Sequence, residues 1–147
     1  MAKTHRKTRA MKAVAETNSH VTQLGQLLKC WITRRGVADE AVGLPSPHEW
    51  LMLMVVFLSK KHRCTMDWDS CTCSVTLGAD VGCQTLLAEF FDFWGSLFET
   101  SSGCSHWTVD VRKCTVSSKP SRKDTLDIAQ PFESKVKTIN PLATRRV

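Results

Sequence analysis

Leu24 to Ser59 reads LGQLLKCWITRRGVADEAVGLPSPHEWLMLMVVFLS. Val21, just upstream, joins Leu24, Leu27, Leu28, Trp31 and Ile32 at helical spacing, which predicts an amphipathic helix. Ser19 is a candidate cap at its start. Arg34, Arg35 and Gly36 form a normal stop, with basic residues in the last turn and a glycine beyond it. Val37 to Pro47 is expected as loop. Glu49 to Lys61 then gives a helix that is apolar nearly all round, as a core helix is. Its apolar run, Trp50 to Leu58, falls well short of the ~18 residues that span a bilayer. No membrane segment and no membrane partner is therefore expected.

Working outward, Lys7 to Asn18 predicts a helix with Ala10, Met11, Val14 and Ala15 on one face. Leu86, Leu87, Phe90, Phe91, Trp94, Leu97 and Phe98 form a second strong stripe, which reads as core. Trp107, Val109 and Val111 alternate with polar residues and predict a strand continuing toward Val116. The stretch 62–82 lacks a helical period and reads as an inserted surface loop. Ser117 to Thr125 reads as a basic loop, and the tail from Leu126 has little periodicity. The expected fold class is mainly α with a small β element.

A chain of 147 residues can bury a real core, and its 42% apolar and 23% charged content is ordinary for a globular domain. The net charge of +6 is unevenly placed. Five Lys/Arg and no acid precede Val14, and seven Lys/Arg against three acids follow from Lys119. Basic ends suit phosphate-rich partners, because neutralised phosphates release counterions. Lys/Arg-rich ends that merely aid solubility are the alternative. The seven cysteines have no framework spacing, which fits reduced thiols inside the cell. The first fifteen residues are presequence-like, so mitochondrion and cytoplasm both remain open. Cys64, Cys71, Cys73 and Cys83, near His62, are numerous enough for a zinc site. Their C-x6-C-x-C-x9-C spacing is not that of a zinc finger, and no metal is assigned. Cys30 and Cys114 read as packing residues, and His48 and His106 as structural histidines.

Four blocks in order carry a resemblance. They are Lys7-Thr8 about 22 residues before Lys29; the Leu24–Ser59 stretch; LLAEFFDFWGSLFE followed by WTVDVR; and DIAQPFE from Asp127 to Glu133. Together they resemble the terminal nucleotidyltransferases, the non-templated poly(A) and poly(U) polymerases. The likeness lies with their helical central domain and poly(A)-polymerase-associated segment. It implies a central helical domain over 1–118 and an associated segment over 119–147. It also implies that Lys29 and Ser46 hold the phosphates of a nucleoside triphosphate and that Thr8 contacts its sugar. A lysine is a compact charge for phosphate, and a hydroxyl adds one hydrogen bond. From the residues alone, Lys29 reads as a solvated helix lysine and Ser46 as a helix cap.

The departures from the family pattern are specific. Its second phosphate lysine falls on Thr33, its base-stacking aromatic on Pro47, its Asn on Lys7, and the Asp of its D-P-F-E on Gln130. Lys7, Lys135 and Lys137 add positive charge, and Arg6, Lys7 and Arg9 are candidates for RNA phosphate contacts. The family's catalytic palm, with G-S followed by D-x-D, is not recognisable. Gly95-Ser96 lies in an apolar helix, and Asp67-Trp68-Asp69 has no G-S before it. Two metal ions need such carboxylates, so no cofactor is assigned, and Mg²⁺ or Mn²⁺ would require a palm supplied elsewhere. The chain reads as the second half of such an enzyme: no catalytic residue, RNA and nucleotide as ligands, and inactive alone. Its protein partner would be one that supplies a palm. The alternatives are a non-catalytic scaffold in a ribonucleoprotein and a small zinc-stapled interaction protein.

Overall fold

The computed structural model describes residues 2–36, 45–78, 81–99, 105–122, 125–132 and 137–139. Three of its four helices come first. Helix α1, Ala2–Glu16, buries Ala10, Met11 and Val14. Helix α2, Ser19–Arg35, buries Val21, Leu24, Leu28 and Ile32, the stripe that its spacing predicts. Its cap is Asn18, not Ser19: the Asn18 side chain accepts the His20 N–H at 2.8 Å. At the other end Gly36 adopts φ 62°, and its N–H returns to the Ile32 carbonyl. Only a residue without Cβ takes that left-handed turn freely.

Helix α3, Pro47–Lys61, is the centre of the molecule. Every residue from Glu49 to Leu58 is buried. Its start is fixed by a reciprocal cap. The Ser46 hydroxyl accepts the Glu49 N–H at 3.2 Å, while the Glu49 carboxylate accepts the Ser46 N–H at 3.0 Å. Pro47 sits in the first turn, where a missing N–H costs nothing. Ser46→Ala is expected to cost about 1 kcal/mol, the usual worth of such a cap, read as a lower urea midpoint. Helix α4, Cys83–Glu99, lays Leu86, Phe90 and Trp94 against this core.

The remaining elements correct the expected fold class. Strands β1, Arg63–Asp67, and β2, Thr72–Thr76, form an antiparallel hairpin. Strands β3, Ser105–Asp110, β4, Thr115–Pro120, β5, Thr125–Ala129, and β6, Lys137–Ile139, form a second sheet in the order β4-β3-β5-β6. β3 and β5 run parallel, and each pairs antiparallel with its outer neighbour. About 54% of the described residues are helical and about 25% are in strands, so the fold is α/β and not mainly α.

The causes are local. Within the stretch 62–82, expected as an inserted surface loop, residues 63–76 form a hairpin. It alternates Cys and Val with Thr and Ser, and it buries only Cys64 and Trp68. That is too little apolar content to stand out in sequence. Strand β3 does not continue to Val116. The Asp110 carboxylate accepts the Lys113 N–H at 3.1 Å, Cys114 takes φ 53°, and the chain reverses into β4. Of the basic loop expected over 117–125, residues 117–120 belong to β4 and Thr125 opens β5. β5 shows only Leu126 and Ile128 as apolar signal, both buried. The sheet therefore takes strands from both sides of residue 118. Trp107, Val109, Val111, Leu126 and Ile128 join the same hydrophobic core as α3. Among the described residues, no helix is long and apolar enough to cross a membrane.

Candidate functional site

Helices α1, α2 and α3 enclose a cleft of about 420 Å³. Helical spacing builds each wall. Thr8, Met11, Lys12 and Ala15 fall on one face of α1; Thr22, Gln26 and Lys29 on one face of α2; His48, Leu51 and Met54 on one face of α3. Met11, Ala15, Val21, Leu51 and Met54 give the cleft an apolar floor. Thr8, Lys12, Lys29 and His48 give it a polar, cationic rim, and no carboxylate lines it among the described residues. The corner between α1 and α2 is tied by Thr22, whose hydroxyl is directed at the carbonyl oxygens of Ala15 and Asn18.

His48 reports the field of this rim. Partial burial holds its imidazole below the ordinary histidine range, and the charges of Lys7 and Lys29 push it further the same way. An assembly of positive groups that disfavours one more proton is suited to an anion. His48 is thus no satisfied core histidine but an exposed residue on the cleft. Its spacing to Leu51 and Met54 was the available signal.

The structure brings Thr8 and Lys29 into this one cleft. Ser46 is not in its lining; it caps α3, two residues from His48. Thr33, where the resemblance would put a second phosphate lysine, donates its hydroxyl to the Lys29 carbonyl at 2.9 Å and so turns back on its own helix. Arg9 is exposed on α1. Arg6 points elsewhere: its guanidinium lies 3.7 Å from the Asp69 carboxylate and 4.7 Å from the centre of the Phe132 ring. Lys135 lies outside the described residues, and Lys137 sits on β6 opposite Ile128.

The other constellations are structural in character. Asp67 carries the hairpin turn: its carboxylate accepts the N–H groups of Asp69 at 3.0 Å and Ser70 at 3.2 Å. Those donors, Ser70 first, hold its carboxyl below the usual range. Asp69 pairs with Arg6 and, at 3.1 Å, with Arg112. The Cys64 and Cys73 thiols hydrogen-bond each other across the hairpin, which pushes Cys64 up and Cys73 down. Cys71 is directed at the carbonyls of Arg6 and Trp68, and Cys83 opens α4. Among the described residues no group of three or more His, Cys, Asp or Glu is placed to hold a metal ion. Cys114 is half-buried with its thiol 3.3 Å from the Ser59 hydroxyl, whereas Cys30 is exposed on α2 and is not a packing residue.

Sequence reasoning missed one polar clasp. His106 on β3 contacts Asp127 at 2.8 Å through Nε2 and Thr125 at 2.6 Å through Nδ1. Both partners lie on β5, so the imidazole ties the parallel pair together. The pairing joins residues 19 and 21 positions apart and has no local signature. No family model, no curated protein and no solved structure matches this chain.

Proposed function

We propose that this chain is a nucleotide- and RNA-binding domain of the terminal-nucleotidyltransferase type, which clamps a nucleoside triphosphate without transferring it. The observation that carries the reading is the convergence of Thr8 and Lys29 on one cleft. They lie on different helices and are the residues to which the sequence resemblance assigns sugar and phosphate. The apolar floor suits a base, and the cationic rim suits a polyphosphate. Transfer itself would need paired carboxylates for two metal ions, from a palm outside this domain. Half-buried Lys7 and exposed Arg9 continue the positive charge along α1 toward RNA.

Calorimetry with UTP and ATP tests this. A charge-assisted contact contributes about 1.5–3 kcal/mol, so Lys29→Ala is expected to weaken binding by about 10- to 150-fold. No nucleotide binding by the wild-type chain, or equal binding by the variant, would sink the proposal.

A second reading, a non-catalytic RNA-binding scaffold, is favoured by Thr33, whose hydroxyl serves its own helix where a second phosphate lysine would stand. Salt-sensitive RNA binding without nucleotide binding would select it. In either reading the free cysteines suit a reducing compartment, cytoplasm or mitochondrion.

A further inference from the structure

We infer that His48 is the pH-dependent third cation of the cleft lining: it takes up a proton when a polyphosphate seats between it, Lys12 and Lys29. This rests on the reading of the cleft as a nucleotide site and adds a residue to which the sequence resemblance assigns no role. His48 stands at the exposed start of α3, on the same rim as Lys29 of α2 and Thr8 of α1. Its ring is the only aromatic one in the lining among the described residues.

The groups that face it are these. From α1 come Lys7 and Lys12, the latter 3.9 Å from Glu16. From α2 comes Lys29. On α3 itself the Glu49 carboxylate is turned into the buried cap and bonded to the Ser46 N–H. In the free protein, burial and then the charges of Lys7 and Lys29 hold the imidazole below the ordinary histidine range. A polyphosphate brings several negative charges into the same space and reverses the sign of that field. The charged imidazole then gains a partner, and its titration moves up. Protons are taken up between the two titration points, so affinity rises as pH falls through that window. It levels off where free His48 is already charged. One proton limits the effect to about tenfold per pH unit.

The test counts protons. Titrations of the intact chain with UTP, and separately with inorganic triphosphate, are run between pH 6.5 and 8.5 in buffers of different ionisation enthalpy. The range stays above the titration of the terminal phosphate, about pH 6. His48→Gln and His48→Lys are compared with wild type, each first checked for an unchanged melting midpoint, as expected for an exposed residue. Wild type is expected to take up more protons per ligand than either variant and to bind more tightly at the low end. His48→Lys should bind with a pH dependence as shallow as that of His48→Gln but with higher affinity. UTP binding with equal proton uptake in all three would overturn the role of His48 while leaving the nucleotide reading intact. His48-dependent proton uptake with triphosphate but no binding of UTP would retain His48 and overturn the nucleotide reading. No binding of either probe would overturn both.

Discussion

Phe57→Ala should remove about 3–5 kcal/mol of stability, the range for deleting a fully buried aromatic ring. Domains of this kind hold only about 5–15 kcal/mol in total, so the loss is a large fraction of what holds the fold together. Phe57 is wholly enclosed in the middle of α3. Its ring meets Phe90 edge-on at 5.8 Å, Phe93 at 5.8 Å and His62 at 5.9 Å. It therefore joins α3 to α4 and to the entry of the hairpin. Truncation leaves a cavity among three elements that cannot all close in on it. Urea denaturation followed by circular dichroism reads the loss. A change under about 1 kcal/mol, the level of ordinary surface substitutions, would mean that α3 is not enclosed as described.

Trp68→Ala should be nearly as costly, again about 3–5 kcal/mol, and for a different reason. Trp68 sits at the end of the hairpin, is 2% exposed, and meets the Phe132 ring at 6.0 Å. It anchors a hairpin with few other buried groups to the segment after β5. Its indole N–H has no hydrogen-bond partner among the described residues. Trp68→Phe removes that unpaired donor along with part of the ring, so the two effects oppose each other. Its cost should stay below about 1.5 kcal/mol. Equal costs for the two substitutions would show that the six-membered ring kept in Phe does not anchor the hairpin. Amide exchange in Trp68→Ala should quicken first in β1 and β2, since they lose their anchor.

The helices were legible because each carries four or more apolar residues at one repeat. Val21, Leu24, Leu28 and Ile32 name both the element and its buried face. Of the strands only β3 was legible, from Trp107 and Val109 alternating with polar residues; β1 buries only Cys64, β5 only Leu126 and Ile128, and β2 and β4 bury nothing. Strand identity here comes from partners distant in sequence, such as His106 opposite Thr125. The cleft was half legible. Thr8 and Lys29 were singled out by resemblance, but their meeting depends on how α1 crosses α2. His48 was passed over because a lone histidine carries no partner in its own neighbourhood. Ser46 was read both as phosphate ligand and as cap; the observed bonds are those of a cap.

The four-stranded sheet has two outer strands, and they meet the world differently. β6 is only three residues long, a poor template for another chain. β4 is six residues long and largely exposed, which is the kind of edge on which a foreign strand could add. It ends in Lys119 and Pro120. Docking a second chain there would bury a charge and meet a backbone position that has no N–H to give. The strand thus limits edge-to-edge polymerisation with its own last two residues, and replacing both with Thr and Val would turn β4 into the most association-prone surface of the sheet.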